Sequence, residues 1–127
     1  MEDFSSVNWL AVGLGTILSF LLGWLWYSPK VFGIKWAEGS GVTLGSAEQM
    51  PVFAMVSQLV ALLLLAVVIG LTATVNALFT AIFAILAAAC FVASGGSFVK
   101  KSGYAICVDF FYIVLAGVVM ILCQGIL

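Results

Sequence analysis

The residues that could do chemistry in this chain are few, and they centre on one carboxylate, Asp109. The sequence has five acidic residues, four lysines and no histidine, and Asp109 is the only acidic residue deep within an apolar run. A charged side chain in a membrane is costly, so it normally faces the interior of the helix bundle. Helical rise places Asp109 roughly 9 Å below the end of its run, and Gln58 at about the same depth in another run. The candidate intramembrane polar site consists of Asp109, Gln58, Tyr112 and Ser57.

Two interpretations of Asp109 compete. In the structural one, Asp109 is hydrogen-bonded, in either protonation state, to Gln58, a serine or a tryptophan indole and locks the bundle. In the functional one, it is a proton or cation site in a cavity open to the cytoplasm, because lone intramembrane carboxylates often mark transport pathways. In the half of the membrane far from the cytoplasm, the predicted spans offer no second acid for a continuous pathway. We therefore favour the structural interpretation and keep transport as the alternative.

The sequence gives no support for catalysis or metal binding. A histidine base is absent, and no second carboxylate shares the depth of Asp109. The three cysteines, Cys90, Cys107 and Cys123, lie in apolar runs, where thiols usually behave as small hydrophobes. They have no CxxC spacing that would indicate a metal or redox site. We therefore expect no enzymatic activity and no cofactor.

Composition identifies the elements that must position these residues as membrane helices. The chain has 127 residues, of which 65% are hydrophobic and 7% charged, and its mean hydropathy is +1.34. Runs of about 20 apolar residues span a bilayer as helices. Four such runs, at about 6–27, 51–71, 76–98 and 103–126, predict a single all-α membrane domain over residues 1–127. No basic surface is available for nucleic acid.

The lysines predict the orientation of these spans. Lys30 and Lys35 lie in the first connection, and Lys100 and Lys101 lie in the third. With four spans, these two connections fall on the same side of the membrane. The positive-inside rule therefore places both termini outside the cytoplasm. Membrane lipid is an expected partner, since paired lysines at this position contact anionic headgroups.

The stretch from Gly23 to Trp36 predicts an aromatic belt followed by a short interfacial helix. Tryptophan and tyrosine concentrate at membrane interfaces, and a Ser-Pro pair suits an N-cap followed by the first helical position. On this basis Ser28 and Pro29 begin a helix whose Phe32 and Trp36 lie in the acyl boundary, and which ends at Gly39 or Gly41. The interfacial motif comprises Trp24, Trp26, Tyr27, Ser28, Pro29, Phe32, Gly33 and Trp36.

Small residues and helix caps complete the predicted architecture. Gly15, Ser19 and Gly23 recur every four residues, so another helix backbone can approach that face closely. Because four helices are few to enclose a pathway and this face offers close packing to a second copy, we expect a homo-oligomer or a subunit of a larger complex. The predicted caps are Ser5 or Ser6 for the first span, a Ser46–Gln49 capping box for the second, and Thr74 or Asn76 for the third.

These residues also carry a resemblance to a known family. Asn8 to Val12 (NWLAV), Trp26 to Pro29 (WYSP), Phe32-Gly33, Trp36, and Asp109 followed by Tyr112 resemble a family of small bacterial membrane proteins, a domain of unknown function, number seventeen sixty-one. The resemblance implies a four-helix protein of the bacterial inner membrane with no established activity. Small multidrug exporters depend on a glutamate in their first helix, and the first span here contains no acid.

Three hypotheses for function follow. The first is a non-enzymatic membrane protein acting as a structural or accessory subunit through helix–helix association. The second is a small ion- or proton-coupled transporter or channel, built by a homo-oligomer around Asp109. The third is a lipid or hydrophobe binder that uses the aromatic belt.

Overall fold

The computed structural model describes residues 4–42 and 52–127, and these residues form five α-helices. The helices are α1 (Trp9–Trp26), α2 (Gly33–Ser40), α3 (Val52–Thr74), α4 (Leu78–Phe98) and α5 (Gly103–Ile126), preceded by a 3₁₀ turn at Phe4–Ser6. All except α2 are long and apolar enough to cross a membrane, which confirms the predicted all-α membrane fold. The Ser46–Gln49 cap, the start of the second span at Pro51 and residues 43–46 of its connection lie outside the described residues.

Two of the predicted helix caps are wrong. The first span begins at Trp9, because Phe4–Ser6 forms its own 3₁₀ turn and Asn8 is the N-cap, accepting from the Ala11 amide at 3.1 Å. Thr74 is the last residue of α3, three residues beyond the predicted end. The helix α4 then begins after Ala77 without a side-chain cap, because Asn76 lies in the connecting turn at a φ of 54°.

The central helix is α5, whose buried face meets α1 along the Gly15, Ser19 and Gly23 stripe. A Cβ at Gly15 would lie 3.4 Å from the Met120 Cα, and one at Gly23 would lie 2.9 Å from the Tyr112 hydroxyl. Ser19 is fully buried. The stripe therefore allows close approach, as its spacing predicts, but the helix that approaches belongs to the same chain. The expectation of a homo-oligomer loses this part of its basis.

The short helix α2 folds back against the beginning of α5. The Ser102 amide donates to the Gly39 carbonyl at 2.9 Å, and a Cβ at Gly39 would overlap the Ser102 Oγ. Gly41, at a φ of 71°, ends α2 in the left-handed conformation. This packing brings the lysines of the first and third connections to one end of the bundle, which we call the lysine end.

The predicted start of α2 at Ser28 and Pro29 is wrong. The Ser28 hydroxyl donates back to the Leu25 carbonyl at 2.7 Å and so caps nothing downstream. Residues 27–32 form turns, and α2 starts at Gly33, whose amide donates to the Ser28 carbonyl at 2.9 Å. A Cβ at Gly33 would overlap the Tyr27 carbonyl oxygen, so this compact turn depends on glycine there.

Candidate functional site

Asp109 lies in the second turn of α5, buried to 6% exposure, and its carboxylate is held by three donors. The Tyr27 hydroxyl donates to Oδ1 at 2.5 Å, and the Trp36 indole N–H donates to the same oxygen at 2.9 Å. The Lys101 ammonium forms an ion pair with Oδ2 at 2.9 Å. The donors come from the end of α1, from α2 and from the residues before α5. One carboxylate thus ties together three separate parts of the chain.

The end of α1 is held in register with α5 by Trp26. Its indole N–H donates to the Val108 carbonyl at 3.0 Å, next to Asp109 in the chain. The Trp26 ring also packs on Phe32, with ring centroids 4.5 Å apart, which fixes the turn that leads into α2. Because both ends of this turn are anchored, Tyr27 and Trp36 converge on one oxygen of Asp109.

Tyr27 and Trp36 also pack on each other beside the carboxylate. Their rings meet edge to face with centroids 4.9 Å apart, a favourable aromatic geometry. Burial, and secondarily the hydrogen bond to Asp109, raise the pKa of Tyr27, which lies just beyond the α1 span. The phenol is therefore a neutral donor over the physiological pH range.

Lys101 belongs to this site, although its place in the sequence indicated only topology and lipid contact. Its ammonium also lies 5.3 Å from the Trp36 ring centroid, a cation–π distance. Lys101 precedes α5 and follows Lys100, which has a φ of 61° in the connecting turn. Helical spacing therefore gave no signal that its side chain reaches Asp109. The neighbouring Lys100 is exposed and has no acidic partner within residues 4–42 and 52–127.

A second polar layer lies one turn deeper and centres on Tyr112. The Tyr112 hydroxyl donates to the Ser19 carbonyl at 2.7 Å, and the Gln58 side chain lies beside Tyr112. The Ser19 hydroxyl in turn donates to the Ala116 carbonyl at 3.4 Å. Gln58 therefore joins the site through Tyr112 and is not a described partner of Asp109.

Several other predicted site residues lie away from Asp109. Ser57 is exposed and donates to the Ala54 carbonyl of its own helix at 3.0 Å, so it is not part of the buried layer. Trp24 is 56% exposed and faces outward, as a belt residue does. Pro29 is exposed in the turn. The half-buried Trp36 turns its N–H inward to Asp109, a contact that its assignment to the acyl boundary did not include.

The chemistry of this arrangement is that of an acceptor with a donor from its own chain on each oxygen. Both carboxylate oxygens of Asp109 have donors, and the nearest cation is a lysine of the same chain. Among the residues that the structure describes, no cluster of three or more potential metal ligands occurs. Hydrogen bonds to a charged group stabilise by roughly 1.5–3 kcal/mol each, so this cluster can lock α1, α2 and α5 together.

Comparison with known proteins agrees with the sequence motifs. A family model described as a protein of unknown function (DUF1761) matches residues 10–125. Neither the curated proteins nor the solved structures include a match to this chain. The match covers nearly the whole length, from the second residue of α1 to the last turn of α5. The chain therefore belongs to the DUF1761 family, whose function is unknown.

Proposed function

We propose that this protein is a non-enzymatic integral membrane protein that acts as a structural or accessory subunit through helix–helix association. The observation that carries the proposal is that each oxygen of the Asp109 carboxylate has a donor from the same chain. The carboxylate accepts from Tyr27, Trp36 and Lys101, so the one acidic residue within a described span is used for internal cohesion. In this proposal other proteins bind to the outer surface of its helices.

The geometry weighs against an ion or proton site at Asp109. A cation would have to displace the Lys101 ammonium, which already lies 2.9 Å from Oδ2. Oδ1 is occupied by two further donors, and the carboxylate is buried. The alternative of a transporter or channel is left with only the general tendency of intramembrane carboxylates to mark pathways.

The surface for association is provided by α3 and α4. Each has only 17% of its membrane window buried within the chain, compared with 39% for α5. The outward side of α4 carries four exposed phenylalanines, Phe79, Phe83, Phe91 and Phe98. In this proposal these faces contact membrane lipid and either a larger complex or a second copy of the chain.

The proposed location is the bacterial inner membrane, with the lysine end in the cytoplasm and both termini outside. The support is the distribution of charge, since Lys30, Lys35, Lys100 and Lys101 all lie at one end and the positive-inside rule applies. Cysteine accessibility at each end in intact cells would test this orientation. Labelling of Lys30→Cys by an impermeant maleimide, while Leu127→Cys stays protected, would contradict it.

The accessory role is tested by purification in a mild detergent. We expect a second protein to copurify in stoichiometric amount, and to be lost when Phe83→Ala and Phe91→Ala are combined on α4. The matched control is the pair Val31→Ala and Ile34→Ala, which truncates exposed apolar side chains at the lysine end, away from the α4 face. Recovery of the chain alone, or only as a homo-oligomer, would contradict the accessory role.

The role of Asp109 is tested separately from the role of the surface. We expect Asp109→Leu to destabilise the folded protein strongly and Asp109→Asn less, because an amide oxygen can still accept from Tyr27 and Trp36. Glu38→Gln on the exposed side of α2 is the control for loss of one acid. Proteoliposomes of the wild type should show no proton or cation flux above empty vesicles. A flux that a folded Asp109→Asn protein lacks would refute the structural assignment.

A further inference from the structure

A cavity lies at the end of the bundle opposite to the lysine end. It is open to the outside and lies between the last turns of α3, the first turn of α4 and the last turns of α5, with a volume of about 310 Å³. One of its lining residues, Gln124, is fifteen residues beyond Asp109 on the same helix, or roughly 22 Å along the axis. The cavity is therefore separate from the Asp109 site.

Two side-chain amides, those of exposed Asn76 and half-buried Gln124, are among the residues that line this cavity. Neither Asn76 nor Gln124 has a side-chain hydrogen bond within the part of the chain that the structure describes. The Gln124 Nε2 reaches across to α3, where a Cβ at Gly70 would lie 3.2 Å from it. By contrast the Thr72 hydroxyl, which also lines the cavity, donates to the Ile69 carbonyl at 2.7 Å. Each free amide offers both a donor group and an acceptor oxygen.

The inner wall of the cavity is apolar and extends about one helical turn into the span. Ile69, Ala81 and Ile121 line it, and no charged residue is among the lining residues. Small-molecule sites typically combine an apolar wall with a few placed polar groups and have volumes of about 300 Å³ or more. An ion would find no counter-charge among these lining residues. A neutral polar group attached to a hydrocarbon chain would find amides for hydrogen bonding and an apolar wall for the chain.

We infer that this cavity binds a neutral amphiphile of the glycerol-ester class. The hydroxyl and ester groups of the head exchange hydrogen bonds with Asn76 and Gln124, and the first carbons of one chain lie against Ile69 and Ile121. Anionic lipids are expected instead at the lysine end, where Lys30, Lys35 and Lys100 lie. The cavity thus adds a ligand site to the proposed subunit role without depending on it.

The test uses the full chain in detergent micelles and two probes with the same tails. Native mass spectrometry would compare dioctanoylglycerol, which is neutral, with dioctanoylphosphatidylglycerol, which is anionic. The wild type should retain the neutral probe. Gln124→Leu should weaken its binding by roughly three- to tenfold, the effect of one net hydrogen bond. Asn76→Gly should act similarly, and because glycine accepts a positive φ it keeps the turn intact.

A space-filling variant separates the cavity from the general apolar surface. Ala73→Leu places a larger side chain in the cavity wall and should abolish retention of the neutral probe. Ala87→Leu, on the exposed side of α4, adds the same volume away from the cavity and should leave binding unchanged. The inference is overturned if the wild type does not retain the neutral probe. It is also overturned if retention of the neutral probe is unaffected by Gln124→Leu, Asn76→Gly and Ala73→Leu. A third refuting result is that the wild type prefers the anionic probe and that Ala73→Leu removes this preference.

Discussion

Removal of the Tyr27 hydroxyl is the sharpest single-atom perturbation of the lock around Asp109. Tyr27→Phe deletes the donor that lies 2.5 Å from Asp109 Oδ1. It leaves the ring in place against Trp36 and against Tyr112, whose centroid is 5.5 Å away. Whatever stability is lost then reports the hydrogen bond and not the aromatic packing.

The expected magnitude follows from the charge and burial of the acceptor. A hydrogen bond to a charged group contributes roughly 1.5–3 kcal/mol in soluble proteins, whereas bonds between membrane helices average about 0.6 and reach about 1.7 kcal/mol. Asp109 is buried and paired with Lys101, but its Oδ1 keeps the indole donor of Trp36 after the substitution. We therefore expect Tyr27→Phe to lower the free energy of unfolding by about 1.5 kcal/mol.

The assay is reversible unfolding in mixed micelles, followed by tryptophan fluorescence as the denaturing detergent fraction rises. The matched control is Tyr104→Phe, because Tyr104 is 41% exposed and its hydroxyl has no hydrogen-bond partner within residues 4–42 and 52–127. The control should change stability by less than about 0.5 kcal/mol. Equal stability of the two variants would refute the argument, because the carboxylate would then not depend on the Tyr27 donor.

Three further predictions concern the same corner of the bundle. Lys101→Met should lower the unfolding free energy by roughly 1.5–3 kcal/mol in the same assay, whereas Lys100→Met, with equal loss of charge, should have little effect. Gly33→Ala should destabilise the protein by about 1–3 kcal/mol, because the added Cβ overlaps backbone atoms. Gly13→Ala, whose Cβ meets no atom within 4 Å, should stabilise it by about 0.5–1 kcal/mol. If both substitutions changed stability in the same direction, the packing described here would be contradicted. Because the pKa of Tyr27 is raised in the folded state, stability should fall as pH rises above about 10, where the unfolded phenol ionises. Unfolding measured from about pH 8 to 11 should show a shallower fall in Tyr27→Phe than in the wild type.

The sequence alone predicted the spans and the central acid, because both depend on composition along the chain. Apolar runs set helix length, and one acid within a run must face inward. The partners of that acid depend on rotation about the helix axis, which depth does not determine. Gln58 contacts Tyr112, one turn beyond Asp109, and its neighbour Ser57 faces outward.

The aromatic donors were assigned to the interface because tryptophan and tyrosine concentrate there. That preference does not decide whether an N–H or O–H points to headgroups or to a buried acceptor. The direction of these donors depends on the turn at residues 27–32. The turn is tight enough to need glycine at position 33, and the Trp26 indole anchors it by donating to the Val108 carbonyl. Such long-range anchoring leaves no periodic pattern in the sequence, and the same is true of Lys101.

The stripe of small residues on α1 indicates close backbone approach without identifying the approaching helix. Here Gly15, Ser19 and Gly23 are covered by α5 of the same chain, so they are not available to a second protein. The more weakly buried windows of α3 and α4 are the remaining places for association. It follows that substitutions in the α1 stripe should unfold the protein, whereas substitutions on the outward sides of α3 and α4 should release a partner from a folded one. A stripe variant that loses its partner while keeping wild-type unfolding behaviour would contradict this division.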